Sequence, residues 1–183
     1  MVEELENLQR EGVIRSFGWS ADVAAQAARW AERGTCTALQ FACNVLQDAP
    51  QLVALCETSS MAAIIRSPLA SGFLSGKYSS ASRLPADDWR AQAIELGWGD
   101  MFGPDGSAQA PWLAKLDALR EILSDSGRTL AQGALAWLWA RSPVTIPIPG
   151  FKTVEQVEEN VGALRHGPLS VAQLTRIDEV LGR

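Results

Sequence analysis

A chain of 183 residues, 47% apolar and 20% charged, can bury one sizeable core and is too balanced to be fibrous or disordered. Its formal charge of -5, with no long basic stripe, repels phosphate backbones and argues against nucleic acid as a partner. No apolar run approaches the roughly 20 residues of a membrane span, and the charged opening "MVEELENLQREGV" lacks the apolar core of a signal peptide.

In chain order, "EELENLQREG" predicts a first helix with Leu5 and Leu8 on its apolar stripe and Gly12 as its stop. "VIRSFGW" predicts a strand, and Ser20 is placed to cap the alanine-rich helix "ADVAAQAARWAERG". "TALQFACNVL" predicts a second strand, with Ala38, Gln40 and Ala42 on one face and Leu39, Phe41 and Cys43 on the other. A short helix follows from Pro50, and "MAAIIRS" predicts a third strand. Residues 67–110, rich in Gly, Ser, Pro and Asp with scattered Trp, predict a long functional or disordered loop.

Beyond that loop, "PWLAKLDALREILSDSG" carries Leu113, Leu116, Leu119, Ile122 and Leu123 at helical spacing. Three helix starts carry capping-box pairs: Thr129 with Gln132, Thr153 with Gln156, and Ser170 with Gln173. The strand "VTIPI" lies between the first two of these helices. Cys36, Cys43 and Cys56 form no C-x-x-C pair and have no nearby histidine, so no zinc site is expected. They are expected as reduced, buried thiols of a cytoplasmic protein. Asp22 and Glu159 read as helix-start charges.

Strands separated by helices of this length predict parallel pairing with right-handed crossovers, an α/β fold. Pattern alone leaves open a small open sheet or half of an eight-stranded barrel. In "IIRSPLASGFLSGKY" small residues after a strand let backbone amides approach phosphate oxygens closely. Ser67, Ser71 and Ser75 add hydroxyl donors there, and Lys77 adds a positive charge. "IPIPGFKT" at the start of a helix offers a second anion site.

Together, "REGVIRSFGWS", "LQFACNVL", "IIRSPLASGFLSGKY" and "LAQGALAWLWARSPVTIPIPGFKTVEQVEEN" resemble, in order, the C-terminal half of an aldo-keto reductase. The resemblance implies half of a (β/α)8 TIM barrel, a single half-barrel domain over residues 1–183, that binds NADP(H) at its strand ends. Ser20 and Gln40 stand where the family hydrogen-bonds the nicotinamide carboxamide, and Arg66 stands where many members stack an aromatic ring on the nicotinamide. Ser67, Pro68, Leu69, Ser71, Gly72 and Lys77 belong to the pyrophosphate loop. Gly150, Lys152, Gln156 and Asn160 match positions around the adenosine 2'-phosphate and adenine, with Lys152 as the cation that favours NADP over NAD.

The family's catalytic aspartate, tyrosine, lysine and histidine come from the other half of the barrel. The one tyrosine here, Tyr78, and the one histidine, His166, read as a loop residue and a surface residue. The resemblance therefore implies no catalytic residue in this chain and no conventional carbonyl reduction by it alone. It implies a partner, either a second copy or a complementary half-barrel, with a small carbonyl substrate only where catalysis is restored. A non-catalytic, self-associating scaffold and a piece of a longer reductase are the alternatives.

Overall fold

The computed structural model describes residues 1–92 and 100–183, so residues 93–99 of the expected long loop lie outside the described residues. Four strands, β1 (Gly18–Ser20), β2 (Ala38–Ala42), β3 (Ala62–Arg66) and β4 (Thr145–Pro147), form one parallel sheet in sequence order. The helices are α1 (Val2–Arg10), α2 (Ala24–Ala31), α3 (Pro50–Thr58), α4 (Ala110–Leu123), α5 (Leu130–Arg141), α6 (Val154–Gly162) and α7 (Val171–Leu181). The chain divides into two compact units, Met1–Pro68 with Arg141–Gly150, and Leu69–Ala140 with Phe151–Arg183.

The first unit holds the whole sheet. Alternation along β2 and β3 sends Leu39, Phe41, Ala63 and Ile65 to one face, where each is fully buried. On that side α2 and α3 pack on the strands, and Trp19 of β1 stacks on Trp30 of α2 with ring centroids 4.1 Å apart. The opposite face is a ladder of facing positions, Ser20, Gln40, Ile64 and Ile146, flanked by Ala38, Ala62 and Ala42. It is only partly covered, and Ile146 and Ile148 are 51% and 46% exposed. Two polar ties hold the β4 segment to the rest: Arg141 pairs with Asp48 at 2.6 Å, and Ser142 donates to Glu57 at 2.6 Å.

Two local expectations change. The strand expected over "VIRSFGW" is confined to Gly18–Ser20, because only from Phe17 onward does β2 lie alongside to complete a ladder. Ser20 therefore sits inside β1, and the N-cap of α2 is Val23, with no side-chain cap.

The second unit is helical. In α5 two thirds of the positions are buried and none is fully exposed, and its face pattern is apolar nearly all round, the mark of an interior helix. Two of the three capping boxes form as read. Gln132 and Thr129 exchange backbone-to-side-chain hydrogen bonds at α5, and Ser170 and Gln173 do so at α7. Thr153 accepts the Gln156 amide, but the Gln156 side chain turns instead to the Lys152 amide at 2.7 Å. Cys36, Cys43 and Cys56 are buried thiols, and burial pushes Cys56 up to about 11.

Helices α4 and α5 meet at backbone distance. A Cβ added at Gly133 would lie 2.0 Å from the Leu123 carbonyl oxygen. Gly133→Ala is expected to cost about 3 kcal/mol, read as a lowered urea midpoint with an unchanged slope. A midpoint within error of wild type would contradict that packing.

Candidate functional site

The chain leaves β3 through an unusual backbone. Ser67 has φ +53°, and residues 70–72 are consecutively left-handed at +48°, +55° and +88°. Ala70 and Ser71 carry side chains, so each costs about 1–2 kcal/mol in this region, and something must hold them. The fold of the loop is internal: Leu69 O accepts the amides of Gly72 at 2.9 Å and Leu74 at 3.2 Å. The Ser75 hydroxyl donates to Gly72 O at 2.7 Å, so it braces the loop rather than standing ready as a phosphate donor. Among the described residues, the amides of Leu69, Ala70 and Ser71 donate to no protein acceptor. Successive amides in such a conformation form an anion-binding concavity.

The brace comes from a residue that sequence reading passed over. Arg90 donates to Ser71 O at 2.9 Å and to the Tyr78 hydroxyl at 2.5 Å, while both oxygens of Asp88 hold the other side of its guanidinium. The pair is largely covered, with side chains 14% and 13% exposed. Hydrogen bonding from Arg90, reinforced by the charge of Lys152, holds the Asp88 carboxyl well below its usual range, at about 2. Beneath them Tyr78, Phe73 and Phe102 form an aromatic cluster, with Tyr78 edge-on to Phe102 at 4.8 Å. The only signal in sequence was the short Asp-x-Arg spacing in "PADDWR".

Cations collect where the loop is open. The position a Gly72 side chain would take lies 3.6 Å from Arg90 Nη1 and 3.8 Å from Lys77 Nζ. Lys77 is exposed and lies 5.0 Å over the Tyr78 ring. Lys152 is also exposed, forms no ion pair among the described residues, and is close enough for Asp88 to feel its charge. Gln156 and Asn160 follow on α6 at i, i+4 spacing, one above the other on the same face. The second unit thus brings Leu69, Ser71, Gly72 and Lys77 into one loop and sets Lys152, Gln156 and Asn160 at the start and along the face of α6.

The remaining site residues belong to the first unit. Ser20 and Gln40 face each other across β1 and β2 on the partly open side. Ser67, whose carbonyl accepts from Asn44 at 3.2 Å, and buried Pro68 carry β3 out of the sheet. Gly150 is exposed, with no atom within 4 Å of where its side chain would be. Arg66 ends β3, level with Ala42, and is ion-paired to Asp22. Asp22 is thus not simply a helix-start charge: its other oxygen accepts the Ala42 amide at 2.9 Å. Glu159 lies in the second half of α6, where its carbonyl accepts from Gln132. Tyr78 gives its hydroxyl to the Arg90 brace, and His166 sits in the turn before α7, where its carbonyl accepts from Arg128.

The aldo/keto reductase family profile matches residues 1–182. The chain belongs to that family. It is 31% identical over 110 residues to aldo-keto reductase yakc [NADP(+)] of Schizosaccharomyces pombe, covering 60% of this chain and 30% of that protein. It is 30% identical over 168 residues to aldo-keto reductase str7 of Strobilurus tenacellus, covering 88% of this chain and 47% of that one. Its fold matches the glycerol dehydrogenase of Gluconobacter oxydans with a TM-score of 0.78 at 20% identity, over 98% of this chain and 53% of that structure. The chain thus spans about half or less of the length of these family members, and its four parallel strands with their helices match part of the TIM barrel. No described helix is long and apolar enough to cross a membrane, and no described cluster of His, Cys, Asp and Glu is suited to a metal.

Removing the brace should free the loop. Arg90→Ala is expected to lower stability by about 2 kcal/mol and to open residues 67–77 to limited proteolysis; unaltered protection would contradict the role. The sign with pH follows from Asp88. Its folded value of about 2 lies below the ordinary 3.8, so the pair stabilises fully above about pH 4 and fades as pH falls toward 2. Thermal melts of wild type and Arg90→Ala should therefore converge over that window, and a constant gap down to pH 2 would contradict it.

Proposed function

We propose that this chain is an NADP(H)-binding half-barrel of aldo-keto reductase type that lacks the family's acid-base machinery. The observation that carries the reading is the left-handed loop, with three consecutive amides that have no protein acceptor among the described residues and with Arg90 and Lys77 at its rim. That donor set suits a pyrophosphate: amides approach closely, and the cations neutralise charge without a metal. Lys152 would take the adenosine 2'-phosphate, the group that separates NADP from NAD, in keeping with the NADP(+) in the name of the yeast relative. Gln156 would act through the Lys152 backbone it already holds, and Asn160 would reach adenine one turn further along. Ser20 and Gln40 would orient the carboxamide from the sheet.

When bound, NADPH supplies hydride. In this reading the chain's own residues hold and orient, and the proton for a carbonyl oxygen would come from a complementing half. Tyr78, the one tyrosine, accepts from Arg90 as part of the loop brace. Reduction of a small carbonyl compound would need a complementing half, supplied by a second copy or another chain. The partly open face of the sheet, with Ile146 and Ile148 exposed, is the surface such a partner would cover. Edge pairing would contribute less on the β4 side. Val144 O and Ile148 N point to β3, so Pro147 points outward and offers no N–H. The buried thiols fit the reducing cytoplasm. A scaffold that keeps the loop but binds nothing is the alternative.

NADPH fluorescence titration tests the reading. Wild type should bind, and Lys152→Ala should weaken NADPH about tenfold, the loss of one charge-assisted phosphate contact. Absence of binding at millimolar NADPH would favour the scaffold. Aldehyde reduction by the pure chain would contradict the missing acid, and light scattering on the same sample should show association.

A further inference from the structure

Asp22 and Arg66 lie 44 residues apart and meet at the C-terminal ends of the strands. The sheet order puts β2 between them, and Arg66 is level with Ala42. One Asp22 oxygen accepts the Ala42 amide at 2.9 Å, and the other holds the Arg66 guanidinium. The arginine side chain therefore lies across the end of β2, where the small Ala42 leaves it room. The two side chains are 40% and 52% exposed, so the pair is accessible to a ligand while one edge of the guanidinium is fixed. A guanidinium plane is weakly hydrated and stacks on flat rings.

The charge state of that plane has a consequence for what lies on it. An unpaired arginine would repel a cationic ring and tolerate a neutral one. Nicotinamide is cationic when oxidised and neutral when reduced. Paired with Asp22, Arg66 presents a plane of nearly zero net charge. We infer that Asp22 is a positioning residue, holding Arg66 as a charge-neutral platform for the nicotinamide ring so that the site accepts oxidised and reduced cofactor alike. This rests on the NADP(H)-binding reading of the preceding section.

The test compares affinities for NADP+, by calorimetry, and NADPH, by fluorescence, at low salt. Asp22→Asn keeps an oxygen for the Ala42 amide and removes the charge. It should weaken NADP+ about fivefold relative to NADPH, the range of an exposed charge pair. Arg66→Tyr, which leaves Asp22 charged and alone, should move the ratio the other way, toward NADP+, by about threefold. On the Arg66→Tyr background, Asp22→Asn should cancel that gain. Equal changes for both redox forms, or a ratio that stays fixed in both single variants, overturns the inference while leaving cofactor binding standing. If wild type binds neither form, the cofactor reading itself falls and this inference with it.

Discussion

Residues 70–72 occupy a backbone region that two of the three enter only at a cost, and the rest of the candidate site follows from how that cost is met. Arg90 ties Ser71 O to Tyr78 and Asp88, and its guanidinium lies against the Tyr78 and Phe102 rings. With its carbonyls turned inward to Arg90, Ser75 and its own amides, the loop leaves three N–H groups without protein acceptors among the described residues. Strain, brace and exposed donors are one arrangement. Take away the brace and the left-handed residues lose their reason to persist.

The sheet carries the candidate residues of the first unit. Ser20 and Gln40 face each other across β1 and β2, and Arg66 stands two positions further along, level with Ala42. One face of the sheet is sealed by fully buried Leu39, Phe41, Ala63 and Ile65, and the other keeps exposed isoleucines. In a closed barrel of this family's type the second face would be interior. A chain of about half the length of its relatives thus presents one sealed and one partly open sheet face.

Much of this was legible in sequence where the determinant is local. Alternation in "TALQFACNVL" correctly sorted buried Leu39 and Phe41 from the open-face Gln40. The Thr129–Gln132 and Ser170–Gln173 pairs marked helix starts because a cap needs only four residues. Long-range pairs were invisible. Asp22 read as a helix-start charge because its partners, Ala42 and Arg66, are brought to it only by strand pairing. Arg90 was lost in a polar loop because its acceptor, Ser71 O, is a backbone atom that no residue type announces. Ser20 was misread as a cap because a serine before a helical segment looks the same whether the chain is still paired or already free. Family membership came from ordered motifs, whose agreement in sequence carries more than any single spacing.

The account turns on whether the amides of residues 69–71 take the pyrophosphate. Hydrogen exchange of those three amides, followed residue by residue with and without saturating NADPH, addresses that contact directly. The account predicts slowing of about tenfold or more at all three. Cofactor bound with exchange there unchanged would place the dinucleotide elsewhere and contradict it.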